Sequence, residues 1–212
     1  EGARAELAQR VGELCEEMAA LTRDMSRASA RTAATSELNA LIRQDLDVEA
    51  LMRTALEFLL ARLGPLNAAV FLPAPSGDLS LGAYVNYDGP RDGAEGLLEG
   101  LADAASRAEH AIGPVVMHGQ EEIEDRLGID LPWTAQSSMV ALPCRERDEC
   151  LAVVLLFRDR AVGFSEEHLW LLRRAGELLG AQLARVVRTH KRHKGGVADA
   201  GQGQDDDLDL AA

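Results

Sequence analysis

Cysteine, aromatic residues and long apolar runs are all scarce in this chain of 212 residues. The three cysteines (Cys15, Cys144 and Cys150) are too few for a disulfide framework and form no C-x-x-C pair, which indicates a reducing compartment. The longest uninterrupted run of aliphatic and aromatic residues, at 151–157, falls far short of the roughly 20 residues that a membrane-spanning helix needs. The sequence therefore predicts a cytoplasmic chain without a membrane segment.

Positive charge is also in short supply, with 22 Lys and Arg against 35 Asp and Glu and a formal net charge of −13. Because a polyanion is bound by clustered Lys and Arg, nucleic acid and anionic lipid are disfavoured partners. The one basic stretch, at 185–194, has no interleaved aromatic residues and is followed by an aspartate run at 205–207, so we interpret it as a solvated helix end. The chain starts at Glu1 rather than at methionine, and we expect it to be a fragment or a processed form.

Sequence motifs of common catalytic and metal sites are missing as well. The chain contains no P-loop, no G-x-S-x-G and no H-E-x-x-H. Of its histidines only His190 and His193 lie close together, at a basic helix end where solvated side chains are more common than ligands. We therefore expect neither a catalytic residue nor a metal site.

The amino-terminal segment, residues 1–35, carries apolar residues at alternating steps of four and three. This spacing is the a/d repeat of a coiled coil, whose seam faces a partner helix, and it predicts a signalling helix that forms a homodimer. A helix packed on its own domain is the alternative. The flanking charges Arg10, Glu17 and Asp24 suit antiparallel pairing slightly better than parallel pairing and leave the orientation open. The predicted seam consists of Leu7, Val11, Leu14, Met18, Leu21 and Met25.

Residues 36–190 show the alternating helix and strand patterns of one compact α+β domain. Helices fall at both ends and hairpin-linked strands lie between them, which predicts a mostly antiparallel sheet covered on both faces. The tail at 191–212, basic and then acidic, is predicted to be disordered. The predicted helices are 37–44, 47–63, 93–111, 120–127 and 165–190, and the predicted strands are 67–72, 79–87, 114–117, 138–144 and 150–158.

Several stretches of this domain resemble the GAF family. They are 51–63 followed by 67–72, then Ser-Met-Val-Ala-Leu-Pro-Cys at 138–144, the apolar strand at 150–157, and Phe-Ser-Glu-Glu-His at 164–168. The resemblance implies an antiparallel sheet of five or six strands, with the first and last helices on one face and a ligand pocket on the other. GAF domains bind cyclic nucleotides, tetrapyrroles, haem, iron or small metabolites, and many bind nothing known. The resemblance thus implies a non-catalytic sensor or regulatory module, whose output domain lies upstream or on another chain.

No cofactor is assigned by the sequence. The Asn-Lys-Phe-x-Asp-Glu signature of the cyclic-nucleotide-binding members is absent, and no cysteine has the surroundings of a bilin attachment site. Because aromatic residues make up only 4% of the chain, a small polar ligand is favoured over a stacked cofactor. The candidate pocket residues are Gly82, Tyr84, Asn86, Met117, His118, Trp133 and Ser138.

Two alternatives to a ligand-binding sensor stay open. One is a ligandless GAF-like scaffold that only pairs subunits. The other is a thiol enzyme of the free methionine sulfoxide reductase type, because Cys144 and Cys150 flank a hairpin turn whose arginines would lower a thiol pKa. A three-residue turn would place these two cysteines opposite each other. Two small core residues remain the favoured interpretation of the pair.

Overall fold

A computed structural model describes residues 2–85 and 94–200 of the chain. Five α-helices and five strands follow one another in the order that the sequence patterns predict, which confirms the α+β class. The helices are α1 (Gly2–Ile42), α2 (Val48–Leu63), α3 (Ala94–Ala108), α4 (Gly119–Leu127) and α5 (Glu166–Ala200). The strands are β1 (Asn67–Pro73), β2 (Leu79–Val85), β3 (Val115–His118), β4 (Ser137–Glu146) and β5 (Glu149–Asp159), with a 3₁₀ turn at Pro132–Thr134 before β4.

The five strands form one sheet in the order β2-β1-β5-β4-β3, and every neighbouring pair is antiparallel. The predicted antiparallel sheet is therefore confirmed. Strand β5 lies at its centre, and its residues 151–158 are all buried. A strand covered on both faces needs apolar residues at successive positions, which accounts for the run of Leu, Val and Phe there.

Each face of the sheet supports its own hydrophobic cluster. The α5 face is the side that carries Leu142, Val154 and Leu156, and it packs against α2, α5 and the end of α1. The α3 face is the side that carries Met139 and Leu155, and it packs against α3 and α4. Helices thus cover both sides of the sheet, as the positions of the helices in the sequence predict.

Helix α1 is longer than predicted and crosses the boundary that we placed at residue 35. No helix-breaking residue separates the seam from the segment at 37–44, so the predicted short helix is the last part of α1. Ala34, Leu38 and Ile42 are buried in the α5-face cluster. Residues 2–30, roughly 40 Å of helix at about 1.5 Å per residue, precede this packed part.

Helix α5 also runs further than predicted. Its backbone continues to Ala200, past residue 190, where we ended the domain, and thus through two consecutive glycines. A glycine costs a helix about 1 kcal/mol relative to alanine, which weakens the helix without necessarily ending it. The predicted acidic part of the tail, 201–212, lies outside the described residues.

A reciprocal cap fixes the start of α5. The backbone N–H of His168 donates to Ser165 Oγ at 3.2 Å, and the backbone N–H of Ser165 donates to His168 Nδ1 at 3.3 Å. Histidine here fills the place that Glu or Gln takes in a capping box. Arg158 donates to the same Nδ1 at 2.9 Å, and burial together with this arginine lowers the pKa of His168. His168 is thereby kept in the neutral form that accepts hydrogen bonds.

The contact between α5 and β4 is unusually close because two glycines face the strand. A Cβ atom on Gly176 would lie 2.8 Å from Leu142 Cδ1. A Cβ atom on Gly180 would overlap the carbonyl oxygen of Arg145 and lie 2.5 Å from its carbonyl carbon. Side chains can rotate away but a backbone carbonyl in a sheet cannot, so Gly180 sets the distance between α5 and the sheet.

We expect Gly180→Ala to destabilise the protein by about 3 kcal/mol, because the added methyl group must push α5 away from β4. The control is Gly96→Ala in α3, where a Cβ atom would meet nothing within 4 Å, and which should leave stability unchanged or raise it by up to about 1 kcal/mol. Urea denaturation followed by circular dichroism measures both. Equal midpoints for the two variants would contradict the close contact.

Candidate ligand site

A β-bulge in the edge strand β2 separates residues that the sequence pattern had grouped. Phe71 of β1 pairs with Leu81, and the preceding Val70 pairs with Ala83, so Gly82 is an extra residue without a partner. An extra residue shifts the alternation by one and turns the following side chains to the other face. Strict alternation, which we assumed for this strand, is therefore wrong.

Because of the bulge, Gly82 and Tyr84 lie on opposite faces of the sheet. A Cβ atom on Gly82 would point at Leu72, 2.8 Å away on the α5 face. Tyr84 packs into the cluster on the α3 face, where Met117 and Trp133 also lie. These three predicted pocket residues share one face.

The other predicted residues do not join this group. His118 follows Met117 and Ser138 precedes Met139, and because neighbours in a strand point to opposite faces, His118 and Ser138 face α5. His118 Nδ1 and Ser138 Oγ are hydrogen-bonded at 2.8 Å. Asn86 lies outside the described residues. The single pocket that we predicted is thus divided between two faces.

Trp133 is held over the sheet by the 3₁₀ turn before β4. Thr134 closes this turn by donating through Oγ1 to the carbonyl of Leu131 at 2.6 Å. The indole packs on Phe157 of β5 with ring centroids 5.2 Å apart, and its Nε1 lies 4.0 Å from the Cβ position of Gly100 on α3. The indole N–H is therefore enclosed between β5 and α3.

Two polar atoms on the α3 face are buried without a hydrogen-bond partner, namely Tyr84 Oη and Trp133 Nε1. Such atoms are rare in folded proteins, because an unpaired buried donor costs about 1–3 kcal/mol. Tyr84 pairs with Ala69 of β1, and Ala69 pairs in turn with Leu155 of β5. Phe157, on which the Trp133 indole packs, lies two strands away from Tyr84 and two residues further along the strand direction. The Cα atoms of Tyr84 and Phe157 are therefore roughly 12 Å apart.

The chemistry of this site follows from those two donors. Burial raises the pKa of the Tyr84 phenol, which keeps the hydroxyl protonated. The cluster against which Tyr84 and Trp133 pack is apolar, so an unpaired charge would be expensive to bury there. This face therefore offers two hydrogen-bond donors in apolar surroundings. Members of this cluster, or residues packed against it, include Phe71, Leu79, Leu97, Leu101, Met117, Met139, Leu155 and Phe157.

A separate cleft of ≈ 330 Å³ lies between α2 and the β2 edge. Its floor includes Met52, Leu56 and Val70, and Gly82 lines it because that residue faces this side. Glu49, Arg53 and Glu57 also line it, spaced four residues apart on α2. Tyr84 also lines this groove, whereas Met117 and Trp133 do not, so Gly82 belongs to a cleft that does not include the indole.

The hairpin cysteines are not placed for a shared disulfide. Cys144 pairs with Ala152, whereas Cys150 pairs with Arg145 across a register shift, and the turn consists of Arg147 and Asp148. Cys144 lies in the α5-face cluster and Cys150 packs against the α3-face cluster. Burial raises the pKa of both thiols, which opposes thiolate formation. The thiol-enzyme alternative needed Cys144 and Cys150 to lie opposite each other, and in this hairpin they do not.

Within residues 2–85 and 94–200, no three His, Cys, Asp or Glu side chains are grouped so that they would hold a metal ion. None of the helices described there combines the length and apolar content that a membrane crossing requires.

We expect Tyr84→Phe to raise the stability of the ligand-free protein by about 1–2 kcal/mol, because it removes a buried hydroxyl that has no partner. The matched control is Thr134→Val, which removes a buried hydroxyl that donates to Leu131 and should lower stability by about 1 kcal/mol. Thermal denaturation of both variants gives the comparison. A loss of stability in Tyr84→Phe would show that the hydroxyl is satisfied.

Comparison with known proteins yields matches only among solved structures, since no family model and no curated protein matches this chain. A putative GAF sensor protein from Burkholderia vietnamiensis is similar with a TM-score of 0.55 and 15% identity, over 76% of this chain and 98% of that chain. The GAF domain of an Acinetobacter phosphoenolpyruvate-protein phosphotransferase is similar with a TM-score of 0.54 and 10% identity, over 76% and 98%.

A free methionine-R-sulfoxide reductase from Neisseria meningitidis, solved in complex with its substrate, is similar to the same degree. Its TM-score is 0.56 at 15% identity, over 76% of this chain and 93% of that chain. Identities this low are evidence of a shared fold and not of a shared activity. The sheet order, the helices on both faces and these matches together show that the chain has a GAF-like fold.

Proposed function

We propose that this chain is a cytoplasmic, non-catalytic sensor or regulatory domain, which binds a small uncharged molecule on the α3 face and pairs with a second copy through α1. The observation that carries the ligand part is the pair of buried donors without partners, Tyr84 Oη and Trp133 Nε1. A ligand oxygen that accepts from either donor would remove its desolvation cost. Sensor domains occur among the structures with this fold, which is consistent with the proposal.

Pairing is supported by the exposure of the predicted seam. All six seam residues are more than half exposed, from 52% for Val11 to 73% for Met25. A continuous apolar stripe of this kind is unusual on a free surface and is typical of a protein–protein contact. The alternative of a seam packed on its own domain is not what the structure shows, because only the end of α1 packs there.

A series of direct contacts connects the ligand site with α1. Phe157 touches Trp133 on the α3 face, and the next residue, Arg158, faces the opposite side and donates to His168 at the start of α5. Beside His168, Glu167 accepts three hydrogen bonds from Arg31 of α1, at 2.9, 3.1 and 3.2 Å. Arg31 also lies over the Trp170 ring at 4.9 Å. Such a network transmits a signal only if it has two arrangements that the ligand binds with different affinities.

Native mass spectrometry of the purified protein tests the ligand site. We expect a small retained mass on the unaltered chain that Tyr84→Phe and Trp133→Phe weaken, because each removes a donor to the ligand. Ser138→Ala is the control, since Ser138 faces the other side of the sheet and should leave the retained mass unchanged.

If the chain retains no mass, and no compound of a neutral-metabolite library shifts its melting temperature, the ligand part is wrong. The favoured function would then be the ligandless scaffold that only pairs subunits. The tight packing of α3 through the fully buried Leu101, Ala104 and Ala105 favours that second candidate.

The pairing is tested by a charge in the seam. Leu14→Glu should convert a dimer into a monomer in size-exclusion chromatography with light scattering, because a carboxylate cannot be buried in an apolar seam without a partner. Ala19→Glu, on an exposed side of the same helix outside the seam, is the matched control and should stay dimeric. A dimer that survives Leu14→Glu would locate the interface elsewhere.

A further inference from the structure

The seam and the domain-packing surface lie on different sides of α1. At about 100° per residue, the six seam residues from Leu7 to Met25 fall within about 40° of one line along the helix. The residues packed on the domain, Ala34, Leu38 and Ile42, lie between about 100° and 180° away from that line. Two α1 helices can therefore meet along their seams while both domains stay outside the contact.

Beyond Met25 the seam side of α1 stays open and carries short side chains. Ala28 and Thr32 continue the heptad spacing and are exposed. The hydroxyl of Thr32 donates to the carbonyl of Ala28 at 3.0 Å, so a partner helix can cover it without leaving a buried donor unpaired. A parallel pair in register makes use of this extension, because Ala28 and Thr32 then meet their own counterparts.

The residues that meet in each layer of the coil also depend on whether the two α1 helices run parallel or antiparallel. Leu7, Leu14 and Leu21 occupy the d positions, and the a positions carry Val11 followed by two methionines. In a parallel pair each leucine packs against the same leucine of the partner, and Val11 supplies the one β-branched a residue of the seam, which together with leucine at d favours two parallel strands. In an antiparallel pair every layer would instead combine a leucine with a smaller or more flexible residue.

The charges beside the seam do not override this preference. In a parallel pair the flank with Arg10, Glu17 and Asp24 faces three uncharged residues of the second copy, so no like charges meet. These residues are Cys15, Thr22 and Ser29. In an antiparallel pair Arg10 meets Asp24, but Glu17 meets a second Glu17. Exposed ion pairs contribute little, so the packing of the layers decides the orientation.

We propose that α1 forms a parallel, in-register, two-stranded coiled coil with a second copy of this chain, from Leu7 through Thr32. This inference rests on the pairing proposed above and adds its orientation and its register. A parallel coil holds the two GAF-like domains at its same end and on its outer sides. The Arg31–Glu167 contacts of both copies then lie beside the last layer of the coil, one residue before Thr32. A movement of either domain thus acts on the same pair of helices.

Disulfide cross-linking of the full chain distinguishes the two orientations. In a Cys15→Ser background, Leu14→Cys and Met25→Cys are each oxidised mildly and examined on a non-reducing gel. Both should form linked dimers, because in a parallel pair each new cysteine faces its own counterpart, within the short Cβ–Cβ distance that a disulfide requires. Arg23→Cys, on the opposite side of α1, is the control and should stay unlinked, as should the background chain.

A mixed experiment tests the opposite arrangement directly. One tagged chain carries Leu7→Cys and a differently tagged chain carries Met25→Cys, and the two are co-expressed. A parallel coil gives only linked pairs of the same chain, whereas an antiparallel coil gives the mixed pair. Predominance of the mixed pair would overturn the proposal.

Light scattering on the same samples separates this inference from the pairing on which it depends. A dimer that forms the mixed cross-link keeps the pairing and refutes the parallel orientation. A monomer refutes both. A dimer that links at Leu14→Cys and Met25→Cys, with Arg23→Cys unlinked, supports both.

Discussion

The close contact of α5 with β4 is the constraint on which the α5 face depends. Because Gly180 has no side chain, the helix axis can approach the backbone of Arg145, and Gly176 allows the same approach one turn earlier. This proximity brings Leu172, Leu179 and the other buried residues of α5 onto the sheet. The end of α1 then packs against α5 and α2, so the position of the projecting seam follows from a glycine contact within the domain. A larger residue at position 180 would push α5 away from β4, and the packed end of α1 would move with it.

Most of the fold could be predicted from the sequence because its signals are local. The positions of the strands, the Ser165 cap and the apolar central strand each depend on neighbouring residues, and each was confirmed. The ends of α1 and α5 were predicted less well, because small residues weaken an apolar stripe in α1 and glycines lower helix propensity in α5 without ending either helix. In both cases we ended the element where the pattern weakened, and the helix continued.

The composition of the candidate site was harder to predict because it depends on one bulge. An extra residue in β2 is not visible in a pattern of apolar and polar residues, yet it determines which face Tyr84 occupies. Gly82 was the available signal, since an isolated glycine within a strand often marks a bulge. The assignment of His118 and Ser138 to the same pocket failed for a related reason, since their faces depend on the pairing of β3 with β4. Trp133, which lies in a loop, needed the tertiary structure to be placed over Phe157.

The central strand connects the contacts on the two faces of the sheet through adjacent residues. Phe157 and Arg158 are adjacent in β5 and therefore point to opposite sides, one towards the indole and the other towards the cap of α5. Arg158 is buried, and its pKa is lowered by that burial, so its contacts with His168 and the carbonyl of Leu63 hold a costly charge. A ligand that shifts Phe157 must either carry Arg158 with it or break those contacts. Since a tenfold difference in affinity corresponds to only about 1.4 kcal/mol, one such hydrogen bond would be enough, under the proposed function, to make the affinity of a ligand depend on the state of the α5 cap.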